Sequence, residues 1–326
     1  MRLTYTRRSV PIDHVTAHGT LSERELFDVT LEGDDGAGHG EAAPLEPYDG
    51  VPADVVESAL RVYATAIAAL PADTAGPQVL DACRRAADLP QALAAVDLAL
   101  WDRAARRAGK PVSALLAEDA LDSVVVNATI GALDRGGAAD AAAQAVRAGF
   151  RCVKVKVGVG DDAGRVAAVR ALAGPDVTLR LDANGAWDVD EAVRMIEALA
   201  PAGLELVEEP VHGIEALRAV RERVPVRIAM DETAAEHGAL ASAAADAVCL
   251  KISRCGGISG TLAAAALVRA MGGEVYVAST LDGPLGLAAA LHVAAALKVE
   301  LPCGLATGDL AVVDGAIAVP SGPGLL

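Results

Sequence analysis

The sequence predicts an α/β fold: a (β/α)8-type barrel, that is a modified TIM barrel, preceded by an N-terminal α+β capping domain that the C-terminal tail completes. Three observations point there. From about residue 123, short β-branched or Leu-rich runs alternate with Ala-rich stretches at spacings of 20–29 residues, each gap long enough for a helix. Before residue 123 the pattern is of strand-like alternation followed by long helical stretches. No Gly-x-Gly-x-x-Gly follows a first strand, so an open doubly wound sheet, the main competing architecture, lacks its usual signal.

Residues 1–43 alternate like antiparallel strands, with a turn around EGDDGAGHG at 32–40. Of the helical stretches that follow, the longest is PQALAAVDLALWDRAARRA at 90–108, which Gly109-Lys110-Pro111 stops. The barrel runs are SVVVNAT (123–129), CVKVKVG (152–158), VTLRLDANG (177–185), LELVEEP (204–210), VRIAMDE (226–232), AVCLKIS (247–253), EVYVAS (274–279) and a weaker CGLATG (303–308). The final DGAIAVPSGPGLL is rich in Gly and Pro and is expected to return to the N-terminal part. The organisation expected is a cap over 1–120, a barrel over 121–310 and a tail over 311–326. The Ala-rich helices are periodic without being a solenoid repeat.

Composition narrows the function classes. With 326 residues, 53 % apolar and 22 % charged, the chain is globular and long enough to bury a sizeable core. A formal net charge of −16 argues against nucleic-acid and anionic-membrane partners. The start, MRLTYTRRSV, has no apolar signal-peptide region, and LGLAAALHVAAAL at 285–297 is too short for a membrane span and holds a histidine. Cys83, Cys152, Cys249, Cys255 and Cys303 are odd in number and widely spaced, with no Cys-x-x-Cys, as expected of reduced thiols in a cytoplasmic protein. The expected partner is a small molecule, with a homo-oligomer as the expected assembly for a barrel of this kind.

Lysine usage is more telling. There are five lysines (Lys110, Lys154, Lys156, Lys251, Lys298) against 23 arginines, and three of the five lie inside apolar strands. Lysine can lose its proton when buried, whereas arginine effectively cannot, so a lysine kept in an apolar strand is a candidate acid or base. Parallel strands covered on both faces should be nearly all apolar. Here Lys156 lies near the end of the second run, Asp182 ends the third, Glu208 and Glu209 the fourth, Asp231 and Glu232 the fifth, and Lys251 sits in the sixth. Successive separations of 26, 26, 23 and 20 residues from Lys156 to Lys251 match one βα unit per step, which gathers these groups at one barrel mouth. Converging carboxylates repel one another in a low dielectric; a hard divalent ion relieves this, and an oxygen donor set favours Mg²⁺ or Mn²⁺ over zinc. No Cys or His stands at the matching positions. Lysines flanking such an ion suit removal of a proton from carbon next to a carboxylate, and a lysine among cations is expected to have a lowered pKa. Lys154, on the same face as Lys156, is expected to hold the Lys156 pKa down and to touch the substrate carboxylate.

Lys154-x-Lys156, the DAN of Asp182–Asn184, the EEP of Glu208–Pro210, the DE of Asp231–Glu232 and Lys251 in LKISRCGGI resemble the enolase superfamily, and within it the muconate-lactonizing subgroup. GEAAPLEPYDG (40–50), ALWDRAARRAGKPVSALL (99–116) and TLDGPLG (280–286) extend the resemblance over the whole chain. The resemblance implies Asp182, Glu208 and Asp231 as ligands of Mg²⁺, Lys156 and Lys251 as the acid/base pair, and Glu209, Glu232 and Asn184 as their supports. It implies a small carboxylate as substrate. Within the subgroup, CGLATG and the NAT of 127–129 resemble the o-succinylbenzoate synthases, whereas dipeptide epimerases often carry Asp-x-Asp at the eighth strand and this chain has only Asp309 nearby. N-acylamino acid racemases, dipeptide epimerases and muconate cycloisomerases share the same lysines.

Substrate contacts are expected from strand-end groups Thr129, Ser279, Asp282 and Thr307, and specificity from the cap loop at about 11–23. Asp282 stands where several relatives carry Glu. Trp101 and Trp187 read as packing residues, and His212 and His237 as surface histidines.

Overall fold

The computed structural model describes residues 1–16, 19–308 and 310–326, and no side chain from 13 to 21. Asp309 and residues 17–18 of the expected specificity loop therefore lie outside the described residues, and of that loop's side chains only those of 11, 12, 22 and 23 are described. The N-terminal strands β1 (Arg2–Thr16), β2 (Gly19–Gly33) and β3 (Gly36–Ala42) form an antiparallel sheet in that order. Alternation places Phe27, Val29 and Leu31 on its covered face. There they join Val56, Leu60, Tyr63 and Ile67 of the helix Ala53–Ala68 and the apolar side of the helix Pro90–Ala108 in one core cluster. The latter helix has Pro at its first position and ends at Gly109, as its sequence predicts.

The parallel sheet runs through β5 (Ala128–Ile130), β6 (Cys152–Lys156), β7 (Thr178–Asp182), β8 (Leu204–Glu208), β9 (Arg227–Met230), β10 (Ala247–Leu250) and β11 (Glu274–Val277), each beside the next. Two residues close it. Cys303 bridges Val126 and Gly304 bridges Ala278, with the Asn127 N–H donating to the Cys303 carbonyl (3.0 Å) and the Ser279 N–H to the Gly304 carbonyl (3.0 Å). The eighth strand expected over 303–308 is thus reduced to this bridge.

Two further expectations need correction. The run 123–129 is not one strand: Ser123–Val125 (β4) leaves the barrel and pairs antiparallel with β13 (Ala316–Ala318), which pairs with β12 (Val312–Val313). Val124 and Ile317, partners in this register, are both buried. The connection from β9 to β10 carries no full helix but the short 3₁₀ turns Glu232–Ala235 and Ala239–Ala241. Gly238 (φ 82°) and Ala243 (φ 52°) adopt left-handed backbone there and interrupt any helix. Among the described residues no helix is long and apolar enough to cross a membrane.

Buried polar side chains fasten cap to barrel. Arg24, 2 % exposed, donates to the carbonyls of Ala43 (2.8 Å), Pro44 (2.9 Å) and Leu281 (2.5 Å), the last in the loop after β11. Glu41 accepts from the Gly283 N–H (2.7 Å) at the start of the helix Pro284–Ala296, and Asp97 from the Ser259 N–H (3.0 Å) and Oγ (2.6 Å) in the first turn of Ile258–Ala270. A carboxylate is favoured at a helix N-terminus by the exposed amides and the dipole. Asp102 accepts from the His39 N–H (2.9 Å) and the Leu325 N–H (2.8 Å), which ties β3 and the tail to the same helix.

Burial and the nearby Asp282 charge push Glu41 up to about 7. Its folded pKa exceeds the unfolded one near 4.5, so the native state binds the extra proton across that window and stability falls as pH rises through it. Within the window each pH unit costs the native state up to about 1.4 kcal/mol. Urea denaturation from pH 4.5 to 8 should show that decline in the wild type and a flatter curve in Glu41→Gln; parallel curves would contradict it.

Candidate active site

Strand register puts the charged side chains in one place. Lys156 stands opposite Asp182 across β6 and β7, and Asp182 opposite Glu208 across β7 and β8. Lys154, two residues deeper on the same face, stands opposite Arg180. Asp231 and Lys251 each follow directly on a barrel strand, β9 and β10. All six predicted groups (Lys154, Lys156, Asp182, Glu208, Asp231, Lys251) come together. Lys154 Nζ lies 2.9 Å from Asp182 Oδ2 and 2.9 Å from Glu208 Oε1, bridging the two carboxylates. Lys156 Nζ donates to Asp182 Oδ2 (2.6 Å) and Asn184 Oδ1 (2.5 Å), and Lys251 Nζ to Asp231 Oδ2 (2.6 Å).

Asn184, Glu209 and Glu232 form a rim around this cluster. Asn184 Nδ2 donates to Glu232 Oε1 (2.9 Å) while its backbone N–H bonds Asp182 Oδ1 (3.1 Å). The Glu209 carboxylate is turned away from the cluster. It accepts from the Asp231 N–H (2.7 Å), the Thr233 N–H (2.9 Å), the Thr233 hydroxyl and His212 Nδ1 (3.0 Å). Asn184 (φ 44°) and Glu209 (φ 39°) both sit in the left-handed region, a strained conformation for residues with a Cβ that concentrates at functional sites. Gly185 (φ 71°) packs under the His212 ring, which a Cβ there would meet at 2.1 Å. His212 and His237 are both exposed, as expected of surface histidines, and His212 is in addition a partner of Glu209.

Three residues at the cluster escaped the sequence reading. Arg254 shares Asp231 with Lys251, its Nη1 3.2 Å from Asp231 Oδ1 and its Nη2 donating to the Tyr48 carbonyl (2.8 Å) in the cap. The Tyr276 hydroxyl donates to Glu208 Oε2 (2.7 Å). Cys249 places its sulfur within 4.8 Å of carboxylate oxygens of Glu208 and Asp231, so the expectation of no cysteine at a matching position fails. The i, i+2 spacing of Cys249 and Lys251 on an inward face was the available signal.

Of the four expected substrate contacts, Thr129 stands opposite Lys154 across β5 and β6, while Ser279 and Asp282 bond within the loop after β11 and Thr307 lines a neighbouring cavity. Thr129 is exposed and its hydroxyl accepts from Asn127 Nδ2 (3.2 Å). Ser279 Oγ accepts from the Asp282 N–H (2.9 Å), and Asp282 Oδ2 from the Thr280 N–H (3.1 Å). Asp282 and Thr307 line a cavity of about 500 Å³ between cap hairpin, helix Pro284–Ala296 and tail, together with Arg8, Arg24, Leu26 and Leu287. Trp101 donates from Nε1 to Ser259 Oγ (2.9 Å) and Trp187 is buried, both in packing positions.

The electrostatics follow from these contacts. Burial pushes the Asp182 carboxyl up, but Lys154 and Lys156 outweigh it and hold the group well below the usual carboxylate range. Burial also opposes ionisation of Asp231, and Lys251 and Arg254 overcome it, so this carboxyl too is lowered. Glu208 is different: burial and the Asp182 charge push it up to about 7 despite Lys154. Burial pulls the Lys154 and Lys251 amines down, yet the carboxylates they face win and raise both. Lys154 and Lys251 are raised because their nearest neighbours are anions rather than other lysines.

This donor set fits a hard divalent cation. Burial first and the Asp182 charge second lift the Glu208 carboxyl, and a cation beside it would favour its ionised form. The Cys249 thiol is raised well above its ordinary value by burial and by Asp231 and Glu208, so it stays protonated and offers no thiolate. Oxygen donors remain, as Mg²⁺ prefers.

Comparison with known proteins decides the family. Residues 137–325 match the family model described as Enolase C-terminal domain-like, and residues 2–117 match the Mandelate racemase / muconate lactonizing enzyme N-terminal domain. The chain belongs to the enolase superfamily. Within that superfamily it is an enzyme. It is 44 % identical over 204 residues to the o-succinylbenzoate synthase of Thermobifida fusca (strain YX), a match over 59 % of this chain and 62 % of that protein. It is 32 % identical to the L-Ala-D/L-Glu epimerase of Bacillus subtilis (strain 168), over 100 % of this chain and 95 % of that one. The crystal structure of a dipeptide epimerase from Enterococcus faecalis V583, complexed with Mg and the dipeptide L-Leu-L-Tyr, superposes with a TM-score of 0.89 at 26 % identity, covering 99 % of this chain and 98 % of that chain.

Glu209 carries the local architecture of this superfamily site, since three donors from the loop after β9 converge on it. Glu209→Ala leaves the Asp231 and Thr233 amides buried without acceptors and should cost about 3 kcal/mol of stability. Urea denaturation measures it; a loss below about 0.5 kcal/mol, the size of an ordinary surface change, would remove that role.

Proposed function

We propose that this enzyme removes a proton from carbon next to a carboxylate, and that its reaction is the o-succinylbenzoate synthase dehydration of menaquinone biosynthesis. One observation carries the chemistry: Lys156 is on the second strand of the eight-fold barrel and Lys251 follows the sixth, so the two amines stand diametrically across the mouth, each paired at 2.6 Å with a different carboxylate. A planar carbon acid between them would meet one amine on each face. Asp182, Glu208 and Asp231 would hold Mg²⁺, which supplies charge neutralisation for the carboxylate and the enediolate that deprotonation creates.

The lysines must change state to act. A base has to be neutral, and Lys251 is held protonated by Asp231. Burial alone lowers a lysine pKa, so once its carboxylate partner is neutralised the same burial drives the amine toward the neutral form. In the dehydration one lysine accepts the α-proton and, now an ammonium, returns it to the leaving hydroxyl. That hydroxyl departs as water as its C–O bond breaks and the double bond forms, while the opposite ammonium stabilises the developing charge. The synthase reading is supported by the match to the Thermobifida fusca protein and by CGLATG, which holds no Asp-x-Asp.

A second reading is favoured by the two-sided placement of the amines and by the full-length similarity to the Bacillus subtilis epimerase: racemisation or epimerisation of an N-acyl amino acid or dipeptide, with Lys156 and Lys251 alternating as base and acid. A panel assay with Mg²⁺, testing the synthase substrate against N-succinyl amino acids and dipeptides, separates them. Turnover of the synthase substrate is expected; turnover of the amino acid derivatives alone would replace the dehydration by the isomerase reading.

Lys156→Ala and Lys251→Ala should each lower kcat about 10²–10⁴-fold in either reading. Lys251→Arg discriminates, because arginine keeps the charge without the basicity. It should keep part of a dehydration in which Lys251 is the cation, and abolish an inversion. Exhaustive chelation should remove activity and Mg²⁺ restore it; full turnover after chelation would refute the metal.

A further inference from the structure

Among the described contacts, Glu208 is the carboxylate of the trio that takes a neutral side-chain donor. Lys154 reaches both of its oxygens, Oε1 at 2.9 Å and Oε2 at 3.1 Å, and the Tyr276 hydroxyl takes Oε2 at 2.7 Å from the opposite side of the barrel. Tyr276 lies on β11, three strands from Glu208 on β8, and is 1 % exposed. Its ring is fixed in turn. The Arg180 guanidinium carbon stands 5.3 Å from the ring centroid, within cation–π range, and Arg180 is anchored by the Pro302 carbonyl (2.6 Å) and by Glu205. The phenol therefore has one orientation, set by a buried arginine that is itself tied to the segment closing the barrel.

A neutral donor does something there that a cation cannot. A lysine or arginine on Glu208 competes with a divalent ion for the same negative charge, whereas a phenol holds one lone pair and leaves that charge available. Resting on the reading of Glu208 as a Mg²⁺ ligand, we infer that Tyr276 is the positioning residue of that site: its hydroxyl holds Glu208 Oε2 from behind and fixes how Glu208 is offered to the cation. The residue acts through Glu208 and touches no substrate. In the sequence, EVYVAS gives no hint of this, because a tyrosine in a buried strand reads as packing.

The test is Mg²⁺ binding itself. Tyr276→Phe keeps the ring over Arg180 and removes only the oxygen. Calorimetric titration should show the Mg²⁺ Kd rising about 10–100-fold, the usual effect of losing a hydrogen bond to a metal ligand, with the melting temperature of the chelated protein unchanged. A purely packing role predicts the same Kd in both proteins, and that outcome overturns the inference while leaving Glu208 a ligand. Absence of Mg²⁺ binding in the wild type, or a Glu208→Gln variant that binds as well as the wild type, overturns the inference together with the metal reading beneath it. Should Tyr276→Phe fold poorly, 3-fluorotyrosine at position 276 of the otherwise unchanged protein answers the same question by ¹⁹F NMR. Its signal should shift on adding Mg²⁺, and a signal that stays put overturns the inference.

Discussion

The structure of the mouth depends on one constraint: several carboxylates are buried side by side, and each must be paired or pay the cost of an isolated charge in a low dielectric. Lys154 meets that constraint most directly, lying 2.9 Å from both Asp182 and Glu208. Lys156 and Lys251 complete it at Asp182 and Asp231. At Glu208, burial and the Asp182 charge keep the pKa up near 7 despite Lys154. The same pairing explains why Lys154 and Lys251 are raised rather than lowered. A lysine among carboxylates is a cation first, and becomes a base only when those carboxylates find another partner.

Around this charge balance the fold supplies rigidity in two layers. Inside the barrel, Arg180 and Tyr276 brace Glu208 from below. On the rim, Glu209 gathers three donors from the loop after β9 and so sets where Asp231 begins. The left-handed backbone of Asn184 and Glu209 is tolerated because these bonds over-determine it. The cap is fastened by a different chemistry, in which buried carboxylates at two helix N-termini and a buried guanidinium on backbone carbonyls hold it over the ends of β10 and β11. Arg254 joins the two layers, since it touches both Asp231 and the Tyr48 carbonyl of the cap.

Much of this was legible beforehand. The barrel strands, the helix over 90–108 and the convergence of Lys154, Lys156, Asp182, Glu208, Asp231 and Lys251 follow from periodicity: one strand per βα unit, charged residues at the strand ends, and a closed sheet that brings strand ends together. The expected substrate contacts have local partners that the sequence did not reveal. Ser279 and Asp282 bond within their own loop, and Thr129 bonds Asn127, because hydroxyls and short carboxylates at strand ends compete for nearby backbone and side-chain partners. The break in 123–129 was hidden because the strand that Ser123–Val125 pairs with, Ala316–Ala318, lies far along the chain in the tail.

By itself, the sequence determined which residues carry charge and that they recur one βα unit apart, which suffices to place them at one end of a barrel. The tertiary structure alone decided which groups meet across it: Tyr276 with Glu208, 68 residues away, Arg254 with the cap, and Cys249 with two carboxylates. Local patterns record which way a strand's side chains face, but partners on strands far apart in the chain are chosen by how the sheet closes and in what register. That information resides in the packing of the whole molecule and in no single stretch of it.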